Sequence, residues 1–332
     1  MSEQPATPPP SCDLTCFRVL RVAPDGQVTT GGVSLLDQPG GFCWLDLTRQ
    51  SERELAFLGH RFSFHHLALE DCAHLDQRPK VEEYDSHLFL VQHAFTSGEK
   101  PYDLEIHELH AFLGKEYLVT VHADAMPTVD EVFARAAKEP AIARRGPDFL
   151  LYLMSDRISE GHFALLDALA DEIEGLEDAI LTRLSRKNIE SIFALKRALV
   201  TLRKTVSPAR DVMGILSKRG DPRIGEKTSL YFRDVYDHLV RVTEAIEADR
   251  DLLGNALDAY LSMAANRTND IMKQLTLVSV TFMPLTFITG FFGMNFTEII
   301  PYQSHALFFG MLGTCLLLPP AMLWLFLRKQ WV

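Results

Sequence analysis

The chain has 332 residues, of which 47% are hydrophobic, and a formal net charge of −11 at pH 7. This length and composition allow a sizeable core and more than one module, whereas the negative charge argues against a general nucleic-acid-binding protein. The five cysteines form no CxxC pair, which indicates reduced thiols rather than a disulfide framework.

The N-terminal part is predicted to be a short tail followed by an α/β domain. Residues 1–13 are proline-rich without an apolar run, so we expect a disordered tail and no cleavable signal. Residues 14–146 are predicted to form a cytoplasmic α/β domain. Its alternating apolar positions predict strands at 42–47, 88–93 and 117–122, with helices at 52–62 and 67–72.

Residues 147–273 are predicted to form a cytoplasmic helical domain and stalk helix. Apolar positions at helical spacing predict helices at 148–183 and 188–217. A third helical pattern begins near residue 228, and a helix continuing to Phe292 would be about 100 Å long at ~1.5 Å per residue. A single chain cannot cover the apolar stripe of such a helix, so we expect a bundle shared between several copies. The alternative is two helices with a hinge near Ala264–Asn269.

Two uncharged apolar segments close the chain. Residues 274–296 are predicted to be the first transmembrane helix, 297–305 an external loop, 306–327 the second transmembrane helix, and 328–332 a cytoplasmic C-terminus. Each segment is long enough to cross ~30 Å of hydrocarbon. Lys and Arg residues flank the pair but are absent from the loop, so the positive-inside rule predicts that both termini lie in the cytoplasm.

One face of the first transmembrane helix is mostly small or polar. Steps of three and four residues join Asp258, Ser262, Ala265, Asn269, Met272, Thr276, Ser279, Met283, Thr286 and Gly290. The opposite face is predicted to carry Leu277, Val278, Phe282, Leu285, Phe287 and Ile288. In one interpretation the small residues permit close helix packing, and the hydroxyl groups bond to carbonyl groups one turn earlier. In the other, symmetry copies of this face surround a water-filled path.

The interpretation of the stripe as a pore lining also predicts that the ion keeps its water of hydration. The membrane portion has no carboxylate, and Mg2+ gives up its water reluctantly. Amide and hydroxyl oxygens would therefore hydrogen-bond to the hydration shell of a divalent cation rather than replace it.

The sequence Gly293-Met294-Asn295, at the outer end of the first span, makes the chain resemble the CorA-type divalent-cation channel family. The resemblance extends over nearly the whole length. Further blocks that carry it are residues 66–71, 77–82, 118–122, 231–238 and 282–288.

The resemblance implies an α+β membrane protein that forms a funnel-shaped homopentamer in the cell (inner) membrane. A cytoplasmic α/β domain and a long helical stalk would lead into the first of two transmembrane helices. The implied function is uptake of Mg2+, and of Co2+ or Ni2+, through a pore gated by cytoplasmic Mg2+. A ZntB-like zinc transporter, with or without proton coupling, is the alternative, and a non-conducting membrane sensor is a third hypothesis.

The resemblance also implies the residues of the ion path. Gly293, Met294 and Asn295 would form the selectivity filter, and Met283, Leu275 and Met272 a hydrophobic gate. The implied pore-lining positions are Asp258, Asn269, Met272, Leu275, Ser279, Met283, Thr286 and Gly290. Leu275 lies one position off the stripe. Glu298 is the only acid of the external loop, so the family's usual acidic ring there is displaced or missing.

A regulatory metal site is implied between subunits, with Asp71, the nearby Glu70 and Asp234 as ligands. Carboxylates that face one another repel until a divalent ion bridges them, so Mg2+ would stabilise the closed ring. The alternative is that these acids are solvated or pair with Arg or Lys. A metallohydrolase centre at His65, His66, Glu70 and Asp71 is rejected for lack of a nucleophile and a third ligand. With no phosphate-binding loop in the sequence either, we expect no enzyme activity and no nucleic-acid partner.

Overall fold

The computed structural model describes residues 16–48, 50–218, 220–294 and 305–328. The chain divides into two compact units, one formed by the residues up to 179 together with 185–256, the other by 180–184 together with the residues from 257 onward. The predicted tail at 1–13, Asn295 of the predicted filter and Glu298 of the predicted loop lie outside the described residues.

Seven strands of the first unit form one mixed sheet in the order β2-β1-β3-β7-β6-β5-β4. Their bounds are β1 Phe17–Val22, β2 Val28–Gly31, β3 Phe42–Thr48, β4 Lys80–Glu83, β5 Leu88–Ser97, β6 Leu104–Leu113 and β7 Tyr117–His122. Neighbouring strands are antiparallel except β3 and β7, which are parallel. The three predicted strands correspond to β3, β5 and β7, whereas β1, β2, β4 and β6 were not predicted.

Helices cover both faces of this sheet. They are α1 Glu52–Phe62, α2 His66–Ala73, α3 Pro127–Lys138 and α4 Pro140–Ala143, with a short 3-10 helix at Val33–Asp37. On one face, Leu58 of α1 and Cys72 of α2 are buried in a core with Phe112 of β6. On the other face, the ring of Trp44 lies 5.0 Å from that of Phe133 in α3. The predicted helices at 52–62 and 67–72 are confirmed as α1 and α2.

Three long helices follow: α5 Pro147–Thr182, α6 Arg186–Leu216 and α7 Glu226–Phe292. In the first unit α5 contacts α7 through Phe149 and Tyr231, whose ring centroids are 5.7 Å apart. Helix α6 contacts α7 through Arg203 Nε and Glu247 Oε1, 2.7 Å apart. Helix α7 is helical throughout, including Ala264–Asn269, where the alternative prediction placed a hinge.

The last helix is α8, His305–Arg328. Within the described residues, α7 and the segment Phe308–Phe326 of α8 are long and apolar enough to cross a membrane. Both contain proline, at Pro284 in α7 and at Pro319 and Pro320 in α8. Each proline lacks the N–H that would bond to a carbonyl group one turn earlier. Such interruptions are tolerated in membrane helices.

Candidate functional site

The predicted pore-lining positions form one exposed face of α7 in the second unit. This face, called the stripe below, is exposed at every assigned position: Asp258, Asn269, Met272, Leu275, Ser279, Met283, Thr286 and Gly290. Met283 is 70% exposed and Leu275 is 65% exposed. Within one chain, therefore, nothing covers the stripe.

The opposite face of the same helix segment is partly covered. Thr281 is only 8% exposed, and Leu277, Leu285 and Ile288 are half-buried. The chain thus covers only part of this face, since Val278 and Phe282 on it are 50% and 60% exposed, and it leaves the stripe uncovered. Phe287 does not follow its predicted position: it is 71% exposed, and at four residues from Met283 it lies beside the stripe.

Several threonine hydroxyl groups of α7, including those of Thr281 and Thr286, bond to the helix backbone. Thr286 Oγ1 donates to the carbonyl oxygen of Phe282 at 2.9 Å, and Thr281 Oγ1 donates to that of Leu277 at 2.7 Å. A hydroxyl group that donates its only hydrogen in this way keeps its oxygen lone pairs available as acceptors. Thr286 therefore presents an acceptor on the stripe, which suits the outward-pointing hydrogens of water bound to a cation.

Helix α7 ends at the motif that suggested the family resemblance. The N–H of Gly293 bonds to the carbonyl oxygen of Thr289 at 2.9 Å. A Cβ atom at Gly293 would lie 3.0 Å from that same oxygen, closer than an ordinary side-chain contact. Glycine thus permits the tight end of the helix immediately before Met294, which is exposed.

Asp71, the first predicted regulatory ligand, forms an ion pair within its own chain. Lys80 Nζ in β4 lies 2.7 Å from Asp71 Oδ2 and also 2.7 Å from Glu82 Oε1. Burial alone would lower the pKa of Lys80, but its hydrogen bonds to Asp71 and Glu82 outweigh this and raise the pKa. The ammonium group therefore stays charged. The neighbouring Glu70 is exposed.

Asp234, the second predicted ligand, lies on α7 in a group of acids that the sequence did not reveal. Its side chain is 64% exposed, and Oδ2 lies 3.8 Å from Nε2 of His238. Asp156 of α5 faces the same region: burial raises its pKa, and the negative charges of Glu160 and Asp234 raise it further. Asp156 is therefore an additional candidate ligand. Helical spacing alone could not single it out from the other acids of α5.

The structure does not bring the predicted metal ligands together within one chain. In residues 16–48, 50–218, 220–294 and 305–328, no group of three or more His, Cys, Asp or Glu residues is arranged to hold a metal ion. The rejected metallohydrolase residues have structural contacts instead. Nδ1 of His65 accepts the N–H of Leu67 as the N-cap of α2, and its ring lies 5.0 Å from that of Tyr84.

A buried polar cluster in the sheet was also missed from the sequence. Glu108 of β6 has a side chain that is 9% exposed, and its carboxylate lies between two imidazole rings. Its oxygens are 4.0 Å from Nε2 of His93 and 3.5 Å from Nε2 of His110. Gln77 donates its backbone N–H to Glu108 at 3.4 Å. The cluster borders a cavity of about 280 Å³.

This cluster should make the stability of the protein depend on pH. Burial raises the pKa of Glu108 from 4.5 to about 7, so the folded state binds this proton more tightly than the unfolded state does. The contribution of Glu108 to stability should therefore fall as the pH rises from about 4.5 to about 7 and then level off. Burial lowers the pKa values of His93 and His110, so their contributions change with pH in the opposite direction. Glu108→Gln should stabilise the protein by about 1–2 kcal/mol at pH 8 and have little effect near pH 4.

The measurement is thermal unfolding of the full-length protein in detergent at both pH values. Glu105→Gln is the matched control, because Glu105 lies on the same strand and is exposed. An equal stabilisation by both substitutions, or one that does not change with pH, would contradict the assignment of the effect to the buried carboxylate.

Comparison with known proteins gives a consistent result. The chain matches the family model of the CorA-like Mg2+ transporter protein over residues 39–329. It is 37% identical over 260 residues to the cobalt/magnesium transport protein CorA of Thermotoga maritima, which covers 78% of this chain and 74% of that protein. It is 21% identical over 309 residues to the zinc transport protein ZntB of Yersinia enterocolitica, covering 92% of each. The complete structure of the CorA magnesium transporter from Methanocaldococcus jannaschii has the same fold, with a TM-score of 0.81 at 24% identity over 95% of this chain and 98% of that one.

Proposed function

The chain belongs to the CorA-like Mg2+ transporter protein family, and on this basis we propose that it carries Mg2+ into the cell through a pore lined by the stripe of α7. The observation that supports this most is the exposure of the stripe along its whole length within one chain. Every assigned position is exposed, including the hydroxyl-bearing Ser279 and Thr286, whereas Leu277, Leu285 and Ile288 on the opposite side are half-buried. A helix surrounded by lipid has no reason to expose acceptor groups in this way.

The pore requires several copies of the chain. One copy supplies one stripe, and a closed ring of copies would place the stripes around a common axis. We propose the funnel-shaped homopentamer that the resemblance implies, with the α8 helices outside the α7 ring. Both termini would lie in the cytoplasm of a cell whose inner membrane holds the ring, because the positive charges flank the two spans.

The ion would pass with water bound. Thr286 and Ser279 offer oxygen acceptors for the hydration shell, while Asp258 and Asn269 extend the polar lining toward the cytoplasm. Met283, Leu275 and Met272 would form the hydrophobic gate, and Gly293, Met294 and Asn295 the outer filter. The membrane potential drives entry, since each elementary charge gains about 2.3 kcal/mol per 100 mV. Co2+ and Ni2+ are proposed as further permeant ions.

Cytoplasmic Mg2+ is proposed to regulate the gate through sites between copies. The ligands would be Asp71 and Glu70 of one copy and Asp234 of its neighbour, with Asp156 beside Asp234. Carboxylate oxygens suit Mg2+, and Glu70 and Asp234 are exposed. As Mg2+ falls, repulsion between these acids would loosen the closed ring and open the gate.

Thr286→Val tests the pore directly. The substitution keeps the shape of the side chain but removes the acceptor oxygen, and Mg2+ uptake should fall about tenfold, as expected for one lost hydrogen-bonding group per copy. Thr281→Val is the matched control: its hydroxyl group forms the same backbone bond but lies on the covered face. Uptake by this variant should remain near that of the wild type.

The assay is ion uptake into proteoliposomes that contain the full-length protein, with Mg2+ and Zn2+ in parallel and with or without a pH gradient. Potential-driven Mg2+ entry that ignores the pH gradient supports the proposal. Zn2+ entry that requires the gradient, with little Mg2+ flux, would instead favour a zinc transporter. Equal losses in the two threonine variants would favour the packing interpretation of the stripe.

A further inference from the structure

Lys80 differs from most surface lysines because its ammonium group pairs with two carboxylates at once. It begins β4, and its ammonium group is shared by two carboxylates, Asp71 of α2 and Glu82 two residues further along its own strand, each at 2.7 Å. Glu82 is held in turn by Tyr84, whose hydroxyl group donates to Oε2 of Glu82 at 2.8 Å. The ring of Phe89 lies 5.8 Å from the lysine nitrogen.

The contact with Asp71 matters because the same carboxylate is a proposed ligand of the regulatory metal. An ammonium group and a divalent cation compete for one carboxylate, since each is stabilised by the same negative charge. Resting on the proposed regulatory role of Asp71, we propose that Lys80 is a tethered cation that competes with Mg2+ for this carboxylate and sets the concentration at which the metal binds.

The arrangement allows this exchange without disrupting the fold. When a metal ion takes Asp71, the ammonium group keeps its bond to Glu82, so it is not left without a partner. Both sides of the pair are partly exposed, 29% for Lys80 and 21% for Asp71. Water can therefore reach the group that is released, and an ion pair of this kind contributes little to folding stability.

Glu82 then controls how firmly Lys80 holds Asp71. While both carboxylates are ionised, the ammonium group divides its hydrogen bonds between them. If Glu82 loses its charge, Lys80 should bind Asp71 more strongly and the metal should bind less readily. Substitutions at Lys80 and Glu82 are therefore expected to shift metal affinity in opposite directions.

The test measures the Mg2+ concentration that gives half-maximal protection of the full-length protein against limited proteolysis. Lys80→Met should lower this midpoint about five- to tenfold, in keeping with the removal of one unit charge near a divalent ion at a partly exposed site. Lys80→Arg, which keeps the charge, should remain near the wild type. Lys115→Met, a change of an exposed lysine in the turn between β6 and β7, is the matched control and should also leave the midpoint unchanged.

A second pair of variants guards against a simple folding defect. Glu82→Gln should raise the midpoint, and this rise should be clearly smaller in the Lys80→Met background, where only the lost charge of Glu82 acts and there is no competitor to redirect. An unchanged or higher midpoint in Lys80→Met would overturn the inference, as would a rise from Glu82→Gln that is just as large in the double variant.

Asp71→Asn separates this inference from the proposal on which it rests. Loss of the Mg2+-dependent protection in Asp71→Asn, combined with no shift in Lys80→Met, would overturn the role of Lys80 alone. An unchanged midpoint in Asp71→Asn would overturn the regulatory role of Asp71, and the competition with it.

Discussion

Gly290→Leu should reduce Mg2+ uptake to the background level of empty liposomes. Beyond its chain neighbours and the adjacent helix backbone, a Cβ atom at Gly290 would meet no atom of the described chain within 4 Å, and leucine favours the helix more than glycine does. The folding of one chain should therefore tolerate the substitution. In the proposed ring, however, every copy would add an isobutyl group to the narrow outer part of the path, where it would exclude a hydrated ion.

Gly310→Leu is the matched control for this prediction. Gly310 lies in α8 and is exposed, and a Cβ atom at its position would likewise meet nothing within 4 Å beyond its chain neighbours and the adjacent helix backbone. Uptake by this variant should stay close to that of the wild type. Chemical cross-linking then separates the two interpretations of the stripe: a blocked pore predicts assembled rings that do not conduct, whereas a packing role predicts rings that fail to assemble. Normal uptake by Gly290→Leu would contradict both.

Asp46→Asn should destabilise the α/β domain by about 3–5 kcal/mol, because it removes a fully buried carboxylate on which the buried His122 and the partly exposed Arg18 both depend. The Asp46 side chain is fully buried, accepts from Nε of Arg18 at 2.8 Å, and lies 3.1 Å from Nε2 of His122. Burial alone would raise the pKa of Asp46, but the hydrogen bond and charge of His122, with help from Arg18 and Thr120, hold it below its ordinary value. An amide at this position cannot match three donors.

The control is Asp130→Asn, which removes the other carboxylate on the same guanidinium. Asp130 is 51% exposed and lies 2.7 Å from Nη2 of Arg18, so its loss should cost about 0–1 kcal/mol. Hydrogen exchange of β3 and β7 in the full-length protein, compared at one pH, measures both effects. Equal losses of protection in the two variants would contradict the prediction, because they would show that the buried carboxylate of Asp46 contributes no more than the exposed one of Asp130.

The buried pair of Asp46 and His122 should also restrict the pH range in which the α/β domain is stable. The lowered pKa of Asp46 means that its contribution is present above its ordinary value of 3.8 and is lost as the pH falls through the lowered value. Burial would lower the pKa of His122, but its bond to Asp46 outweighs this and raises the pKa above 6.5. The contribution of His122 is therefore present below pH 6.5 and is lost as the pH rises through the raised value.

The long helices were predictable because their periodic signal extends over many residues. The predicted helices at 148–183 and 188–217 and the predicted span at 306–327 differ from α5, α6 and α8 by no more than two residues at either end. Strand β6 was missed because Glu105, His107, Glu108 and His110 break the apolar alternation. Its buried half is stabilised by pairing with β5 and β7, and such long-range contacts leave no local pattern.

Part of the candidate site was likewise predictable from the sequence, and part was not. The stripe was predictable, since a face of a helix is fixed by spacing alone. The pairing of Asp71 with Lys80 was open, because it depends on β4 lying beside α2, and their sequence separation of nine residues does not determine that. The sequence allowed Asp71 to be a metal ligand or half of an ion pair, and the structure shows the ion pair within one chain.

The backbone bond of Thr286 has a consequence for the sign of the charge that could pass this point of the stripe. Because the hydroxyl proton of Thr286 is already bonded to a backbone carbonyl, the side chain has no hydrogen left to offer a solute. At this position chloride or phosphate would need a donor and would meet only lone pairs. A ring of Thr286 side chains would therefore disfavour anions at that level without any fixed charge, because the helix backbone holds each hydroxyl proton.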